Sequence, residues 1–414
     1  MNALTIVFLA ALGTSIALQF WLAQRQIAHL VAHRDEVPEE FRNDIPIKDH
    51  RKAADYTQAK TRLNLWSIAY QSLILLAWTI GGGLDALDGI WRGFDITPLL
   101  QGTGLIVSAL IISDFLEIPF TLYATFGLEQ RFGFNRMKPA TFISDFLKSL
   151  VIVLVIATPL TALVLWLMSA AGTLWWVYAW GVFAAFSFAG LILYPTLIAP
   201  LFNKFKPLSD VDLKKRIDAL AEKCGFVFKD IFVMDGSKRS SHGNAYFTGL
   251  GAKKRIVFFD TLIETLEGDE IEAVLAHELG HFKRRHVQKM LAASLGMSFI
   301  GFLILGWLTG ESWFYSGLGV TVASDPAALM LFAFVSPVFL FFLRPIISGI
   351  SRRFEYQADD FAATYSSGAA LVRALVKLYR DNASTLTPDP VYSVFYHSHP
   401  PPPMRVAHIQ THNS

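Results

Sequence analysis

The chain is organised around the stretch His277-Glu278-Leu279-Gly280-His281, which has the form H-E-x-x-H. On a helix, residues four positions apart share a face, so His277 and His281 can reach the same metal ion. Glu278 then points beside the metal, where a bound water would lie. Zinc lowers the pKa of such a water to about 7, and a neighbouring carboxylate can take its proton as a general base. The motif therefore predicts hydrolysis of a peptide bond.

The residues around this motif favour a helix. Asp269 is a candidate N-cap, and Glu272, three residues later, completes a capping-box pattern. An apolar side is supplied by Ile271, Val274, Leu275 and Leu279. The alternative is a chance pairing of two histidines around a glutamate, which is rare for a chain with 11 histidines in 414 residues.

Composition is typical of a membrane protein. Hydrophobic residues make up 53% of the chain and charged residues 17%, whereas soluble proteins average about 25% charged residues. The net charge of +2 gives no basis for nucleic-acid binding. The single cysteine, Cys224, excludes an intramolecular disulfide and a zinc site built from several cysteines.

Seven apolar runs are each close to the 20 or so residues that cross a bilayer as a helix. They are Ala3–Leu22, Leu63–Leu84, Gly104–Tyr123, Leu147–Ala170, Leu174–Ile198, Leu291–Leu308 and Ala327–Ile350. The first run lacks a basic N-terminal region and a clear cleavage site, so we expect it to be a retained anchor rather than a signal peptide. The triplet Gly81-Gly82-Gly83 is expected to end the second span.

Segments rich in lysine and arginine alternate along the chain with segments that nearly lack them. The segment between spans one and two holds 8 lysine and arginine residues. The loop after span three, counted with the start of span four, holds 4, the long fifth segment holds 16 and the C-terminal side holds 7. The three remaining loops together hold only Arg92. Because cytoplasmic loops are enriched in Lys and Arg, the N-terminus is predicted outside and the polar segments and C-terminus in the cytoplasm.

Span three carries two acids, Asp114 and Glu117, three residues apart and so on one helix face. Acids within a membrane are costly and usually face a bundle interior or a water-filled cavity. Two interpretations stay open for this pair: they line such a cavity, or they form a structural hydrogen bond between helices.

A small α+β module is predicted between spans five and six. Val211–Cys224 has the periodicity of an amphipathic helix, and Ile231–Met234 that of a strand. Ala245–Gly249 and Arg255–Phe259 are predicted as two further strands joined by a glycine-containing turn. An edge strand beside the His277 helix would allow an extended peptide to bind by strand addition.

A catalytic zinc usually has three protein ligands, so one ligand is still to be found. After the last two spans the chain returns to the cytoplasmic side near Ser351, where Glu355 and Asp359 share a helix face. We predict Glu355 as the third ligand and Asp359 as the partner of a zinc-binding histidine. The alternative is a solvated acidic patch on a cytoplasmic helix.

The C-terminal tail contains His399 followed by the prolines Pro400–Pro403 and by Arg405. Proline cannot continue a helix, so His399 is expected on a rigid extended segment. A cation beside the metal could stabilise the oxyanion formed during hydrolysis. On these residues alone, a histidine-rich surface tail is the competing interpretation.

Taken together, these motifs resemble the type I CAAX prenyl proteases, a family of integral-membrane zinc metalloproteases. The matching stretches are HELGH at 277–281, FEYQAD at 354–359, HPPxxxR at 399–405, NAYFTG at 244–249 and PLFNKFxPL at 200–208. Because the seven spans match as well, the resemblance covers nearly the whole chain.

The resemblance implies a set of roles for individual residues. His277, His281 and Glu355 would bind one Zn²⁺ per chain, with Glu278 as the catalytic base and Asp359 supporting the site. Contacts to the substrate or its oxyanion would come from Asn244, His399 and Arg405. The implied fold is mainly α, with seven transmembrane helices enclosing a water-filled chamber and a small cytoplasmic zinc metalloprotease module.

We therefore expect five transmembrane helices in residues 1–203 and the cytoplasmic module in 204–290. Helices six and seven would occupy residues 291–350, and residues 351–414 would complete the zinc site. The predicted function is cleavage of membrane-associated or CAAX-type prenylated proteins, by a monomer surrounded by lipid. The compact loops favour a bacterial inner membrane. The alternatives are a quality-control protease without prenyl specificity and an inactive scaffold or transporter.

Overall fold

The computed structural model describes residues 2–227, 230–248 and 255–411, and most of these are helical. The α-helices are α1 (Ala3–Ala32), α2 (Ile47–Trp78), α3 (Gly83–Arg92), α4 (Pro98–Leu122), α5 (Gln130–Phe132), α6 (Pro139–Ala170), α7 (Trp175–Leu193), α8 (Ala199–Phe202), α9 (Val211–Lys223), α10 (Asp260–Thr265), α11 (Gly268–Lys283), α12 (His286–Leu308), α13 (Ser312–Gly317), α14 (Asp325–Leu340), α15 (Arg344–Tyr365), α16 (Gly368–Asp381), α17 (Pro390–Tyr396) and α18 (Pro402–Thr411). The strands are β1 (Phe205–Pro207), β2 (Asp230–Met234), β3 (Ala245–Thr248) and β4 (Arg255–Phe259).

Among the described residues, six helical segments are long and apolar enough to cross a membrane. They are Ala3–Ala32, Pro98–Phe132, Pro139–Ala170, Gly172–Phe202, His286–Leu308 and Asp325–Tyr365. A seventh candidate is the pair α2 and α3, which is bent by 45°. By length and composition, this agrees with the seven predicted spans and with a mainly α-helical membrane protein.

The bend between α2 and α3 lies at the predicted glycine triplet. Helix α2 ends at Trp78, and Gly82 has a φ of +75°, a left-handed conformation that glycine adopts at little cost. A Cβ on Gly81 would lie 2.9 Å from the Cα of Ala77, so a side chain does not fit there. The triplet therefore ends the first helix as predicted, but the chain then continues as α3, which the hydropathy pattern did not separate.

The two acids of span three are in helix α4. Gln71 of α2 donates a hydrogen bond of 3.1 Å to Glu117, which is the interhelical bond of the second interpretation. Asp114 is exposed, although it lies in an apolar helix. The two acids therefore have different surroundings: Glu117 accepts an interhelical hydrogen bond, and Asp114 is exposed.

The last predicted span, Ala327–Ile350, is only part of a longer helical segment, Asp325–Tyr365. Helix α14 passes through a short 3₁₀ turn, Phe341–Leu343, and continues as α15 to Tyr365. Pro345 is in the first turn of α15, where its missing N–H leaves no hydrogen bond unmade. The apolar signal ends near Ile350, but the helix does not, because the residues after it pack against the soluble module.

The module contains a four-stranded sheet in the order β1-β2-β4-β3. Strands β2 and β4 are parallel, and the two outer pairs are antiparallel. Strand β3 is at one edge, and four of the five predicted residues form it, since Gly249 lies outside the described residues. The other edge strand, β1, was not predicted: it has three residues and ends in Pro207, which is tolerated at a sheet edge.

Helices α9, α11, α15 and α16 share one hydrophobic core with this sheet. The predicted apolar face of α9 is buried there, as Leu213, Ile217, Leu220 and Ala221 are all 5% exposed or less. Helix α11 supplies Ile271, Leu275 and Leu279 to the same core. With its apolar side fixed in this way, α11 turns its histidines toward α15.

Candidate active site

Helix α11 begins two residues earlier than predicted. Its N-cap is Glu267, whose side chain accepts from the backbone of Glu270, and the Glu270 carboxylate accepts from the Glu267 N–H at 2.8 Å. The predicted capping box of Asp269 and Glu272 was therefore wrong. Aspartate is the stronger N-cap on average, and that preference favoured Asp269 in the sequence. Glu270 is preferred here since it is buried, and Lys377 of α16 donates to it at 2.8 Å.

One turn of α11 carries both motif histidines. The Nε2 atoms of His277 and His281 lie 3.1 Å apart, close enough for both to bind the same metal ion. His277 is buried and His281 is partly buried. The four-residue spacing therefore produces the shared face that the motif predicted.

Glycine in the motif allows α15 to approach α11 closely. A Cβ on Gly280 would lie 3.0 Å from the Cα of Ala358 and 3.0 Å from the Cβ of Phe361. Ala358 is itself fully buried. This contact brings the acidic face of α15 against the histidines of α11.

Glu355 completes a three-residue cluster with the two histidines. Its Oε1 lies 3.3 Å from His281 Nε2, and its Oε2 lies 3.5 Å from His277 Nε2. The Oε2 atom is buried and has no hydrogen-bond partner among the described residues. One atom from each of the three residues lies within 4.8 Å of the others. A buried carboxylate oxygen without a partner beside two imidazole nitrogens fits a metal ion, and this donor set is typical of catalytic zinc.

Asp359 contacts His277 at Nδ1, the ring nitrogen opposite the cluster, and Arg405 lies against the ring with Nη2 3.1 Å from Nδ1 and 3.2 Å from Nε2. Asp359 Oδ1 lies 2.8 Å from His277 Nδ1, and Asp359 is fully buried. Arg405 donates to both carboxylate oxygens of Asp359, each at 2.7 Å. An aspartate held in this way fixes the ring of His277, and the arginine compensates its buried charge.

Glu278 lies on α11 between the two histidines and is partly buried. Burial raises the pKa of Glu278, and the nearby His277 and His281 partly offset that rise. A carboxylate with a raised pKa is a better proton acceptor than a fully hydrated one. Its position and environment therefore suit a general base.

His399 approaches the cluster from the tail. Its Nε2 lies 3.4 Å from Glu355 Oε2, and 63% of its side chain is exposed. Arg352 of α15 holds the preceding segment by donating to the carbonyl oxygens of Ser393 at 3.0 Å and His397 at 2.7 Å. The proline run is only partly extended, because helix α18 begins at Pro402. Proline is well tolerated in a first helical turn.

Asn244 lies just before the edge strand β3. It is exposed, its carbonyl oxygen accepts from the N–H of Phe259 at 2.9 Å, and its side chain accepts from the N–H of Ala245. The structure thus gathers six predicted residues around one point and leaves Asn244 apart from them, just before β3. The six are His277, His281, Glu355, Asp359, His399 and Arg405.

Comparison with known proteins places this architecture in a family. Residues 26–204 match the family described as CAAX prenyl protease N-terminal, five membrane helices, and residues 207–413 match Peptidase family M48. The chain belongs to peptidase family M48. This M48 peptidase is therefore an integral-membrane metalloprotease, as the sequence motifs predicted.

Similar proteins cover almost its whole length. CAAX prenyl protease 1 of Saccharomyces cerevisiae is 33% identical over 94% of this chain and 92% of its own. The homolog of that protease in Homo sapiens is 31% identical over 98% and 95%. The crystal structure of S. mikatae Ste24p superposes with a TM-score of 0.90, at 31% identity and 99% coverage of both chains.

Arg405 of this M48 peptidase lies in a different environment from the one that a substrate contact requires. The residue is 6% exposed, and its guanidinium is occupied by Asp359, with Nη2 also 3.6 Å from Glu355 Oε2. This geometry favours a positioning role over the predicted substrate contact. Sequence reasoning could not separate the two, because the spacing from His399 to Arg405 is the same in both cases.

We expect Arg405→Met to lower the thermal stability of the protein and to weaken metal retention. Removing one member of a buried ion pair leaves the Asp359 charge uncompensated, which costs about 3–5 kcal/mol. Arg353→Met is the matched control, because Arg353 is exposed on α15. Melting temperature and metal content of the purified proteins are the measurements. A variant with wild-type stability and only a raised KM would restore the substrate-binding interpretation.

Proposed function

We propose that this M48 peptidase is a zinc-dependent endopeptidase that cleaves membrane-associated proteins, including CAAX-type prenylated ones. The observation that carries the proposal is the cluster of His277, His281 and Glu355, with Glu278 beside it. The similar proteins named CAAX prenyl protease 1 support the substrate class. Ligands, base and supporting residues occur together, which argues against an inactive scaffold or transporter.

In this proposal His277, His281 and Glu355 would hold a zinc ion. When bound, zinc polarises the scissile carbonyl and makes water more acidic. The Glu278 carboxylate accepts a proton from the attacking water and then delivers it to the nitrogen of the leaving amine. His399 donates from its imidazole to the carbonyl oxygen as negative charge develops there. Its high exposure and its short distance to Glu355 support that role.

The substrate binds, in this proposal, as an added strand along β3. Pairing with β4 occupies one side of β3, and the sheet order leaves β3 terminal in the described part of the chain. Strand addition fixes the peptide through main-chain hydrogen bonds and demands little of its side chains. Asn244, exposed at the start of β3, is then placed to contact the peptide.

The test is hydrolysis of three peptides with the same CAAX sequence by the purified protein in lipid. One is farnesylated, one lacks the lipid, and one is farnesylated but N-methylated at backbone positions next to the scissile bond. We expect the first to be cleaved fastest, since the lipid concentrates it in the membrane. The third should bind weakly, because N-methylation removes donors that a strand needs.

Three outcomes would change the proposal. Equal cleavage of the first two peptides would favour the quality-control alternative, in which prenylation is not recognised. Unchanged cleavage of the N-methylated peptide would contradict strand addition. Activity that survives complete removal of metal by a chelator would contradict the metalloprotease itself.

The membrane helices are proposed to enclose a water-filled chamber around the substrate. The exposed Asp114 in apolar α4, and the polar pair Gln71 and Glu117 beside it, support this arrangement because such groups need water or partners. For the reasons given in the sequence analysis, we propose that the domain boundaries lie at residues 203, 290 and 350. We also propose that the protein is a monomer and that it lies in a bacterial inner membrane.

The zinc site and the C-terminus are proposed to face the cytoplasm, because Lys and Arg are concentrated in the segments on that side. In a Cys224→Ser background, a cysteine at Arg284 should resist an impermeant thiol reagent added to intact cells. A cysteine at Ser312 should react. Both positions are exposed, whereas Cys224 is buried. The opposite labelling pattern would invert the topology.

A further inference from the structure

A buried histidine beyond the H-E-x-x-H motif lies against the proposed metal site. His286 follows α11 by three residues and is the first residue of α12. The chain reverses there through Arg285, which has a φ of +56°. This left-handed residue turns the His286 side chain back toward α11, and only 3% of the residue is exposed.

The ring of His286 is held by its neighbours on both sides. It stacks on Phe354 of α15, with ring centroids 4.1 Å apart and planes within 6° of parallel. Its Nε2 lies 3.0 Å from Gln357 Oε1, and its Nδ1 lies 3.0 Å from Nδ1 of His281. His286 therefore connects Gln357 to a residue of the metal cluster.

The contacts of His286 favour one placement of the protons on the two imidazole rings. Gln357 Oε1 is a carbonyl oxygen and can only accept, so His286 Nε2 carries the proton. In the neutral ring His286 Nδ1 is then an acceptor, and His281 Nδ1 must donate to it. The remaining nitrogen of His281, Nε2, keeps its lone pair. That is the nitrogen that faces His277 and Glu355.

We propose that His286 is a positioning residue that fixes the tautomer and the ring orientation of His281 for metal binding, with Gln357 fixing His286 in turn. The inference rests on the proposed metal site and adds a residue to it. A metal-binding histidine commonly donates its second N–H to a fixed acceptor, and loss of that acceptor typically costs 10–100-fold in metal affinity.

The two metal-binding histidines would then be supported in different ways. His277 is held by the ionic pair of Asp359 and Arg405, whereas His281 is held by the neutral pair of His286 and Gln357. A neutral support adds no further charge to a site that already contains carboxylates. Helix α15 contributes to both arrangements as well as supplying Glu355, so it aligns the whole donor set.

The experiment compares metal binding by full-length variants in lipid. His286→Ala removes the acceptor, while His286→Asn retains a side-chain oxygen near the position of Nδ1. Gln357→Leu removes the outer partner, and the double variant with His286→Ala tests whether the two act in series. His50→Ala is the matched control, because His50 is a buried histidine whose Nε2 contacts the carbonyl oxygen of His33 at 2.8 Å.

We measure the zinc dissociation constant against a chelator and the visible spectrum of the cobalt-substituted protein, which reports ligand geometry. We expect about 10–100-fold weaker binding for His286→Ala, substantial recovery in His286→Asn and a wild-type value for His50→Ala. Gln357→Leu should weaken binding alone but add little in the His286→Ala background.

Unchanged metal affinity in His286→Ala, or a loss in His286→Asn or in His50→Ala as large as that in His286→Ala, would overturn the inference while leaving the metal site intact. Full additivity of the two substitutions would also overturn it, because residues acting in series cannot contribute independently. Wild-type protein that fails to bind zinc would overturn the proposed site, and the inference with it. The outcomes therefore separate a failure of the positioning role from a failure of the proposed function.

Discussion

Glu278→Gln is expected to lower kcat by about 10²–10⁴ while metal content stays at about one ion per chain. The amide has nearly the same shape as the carboxylate but cannot accept the proton of the attacking water. The structure places Glu278 beside the histidines without including it in the three-residue cluster, so the substitution should leave the metal donors unchanged. The two measurements, made on the same purified sample, are the rate of peptide hydrolysis and the metal content by elemental analysis.

Glu272→Gln provides the control for that substitution. Glu272 is on the same helix and is also partly buried, but its nearest ion-pair partner is Arg216, 3.8 Å away and outside the cluster. It should retain near wild-type activity. If Glu278→Gln hydrolysed peptides at a rate close to wild type, the assignment of the base would be wrong, whatever the metal content.

Glu355→Ala is expected to abolish measurable hydrolysis by loss of the metal. The substitution removes one of three donors, and it also leaves the nitrogens of His277 and His281 without the carboxylate that now faces both of them. Two histidines alone hold zinc much less tightly than the three-ligand set of a catalytic site. Metal content after dialysis against a chelator, measured beside activity, gives the answer.

Asp360→Ala is the matched control on α15. Its carboxylate lies 2.7 Å from His408 Nε2, in a pair separate from the metal cluster. This variant should keep its metal under the same dialysis. Equal metal retention by Glu355→Ala and wild type would mean that another acid is the third ligand, and Asp359 would be the first to test because it lies 2.8 Å from His277.

Much of the site could be predicted from sequence because its features are local. The spacing of His277 and His281 depends only on helical geometry, and the hydrophobic runs depend only on the thickness of a bilayer. Within the described residues, strand β4 has the predicted range Arg255–Phe259, since its β-branched and aromatic residues favour a strand. Glu355 was also identified from sequence, but through an argument about topology and a family resemblance rather than through local spacing.

Other features depended on contacts between distant segments. The helix is capped at Glu267 rather than at Asp269 because the capping partner Glu270 is buried and Lys377 compensates its charge. Lys377 is more than 100 residues away in the sequence. Strand β1 is too short to produce a periodic signal and forms only by pairing with β2. Neither result could follow from propensity, which averages over all tertiary surroundings.

The sequence by itself determined the membrane class and the helix that carries His277 and His281, because hydropathy and helical periodicity require no partner. It also named Glu278 as the candidate base. Tertiary structure alone decided how the proposed ligands are held. Close packing at Gly280 brings Glu355 to the histidines, the buried charge of Asp359 draws Arg405 inward, and the turn at Arg285 directs His286 to His281. Each of these depends on the direction of a side chain across an interface, and hydrogen-bond and charge satisfaction in a buried site set that direction.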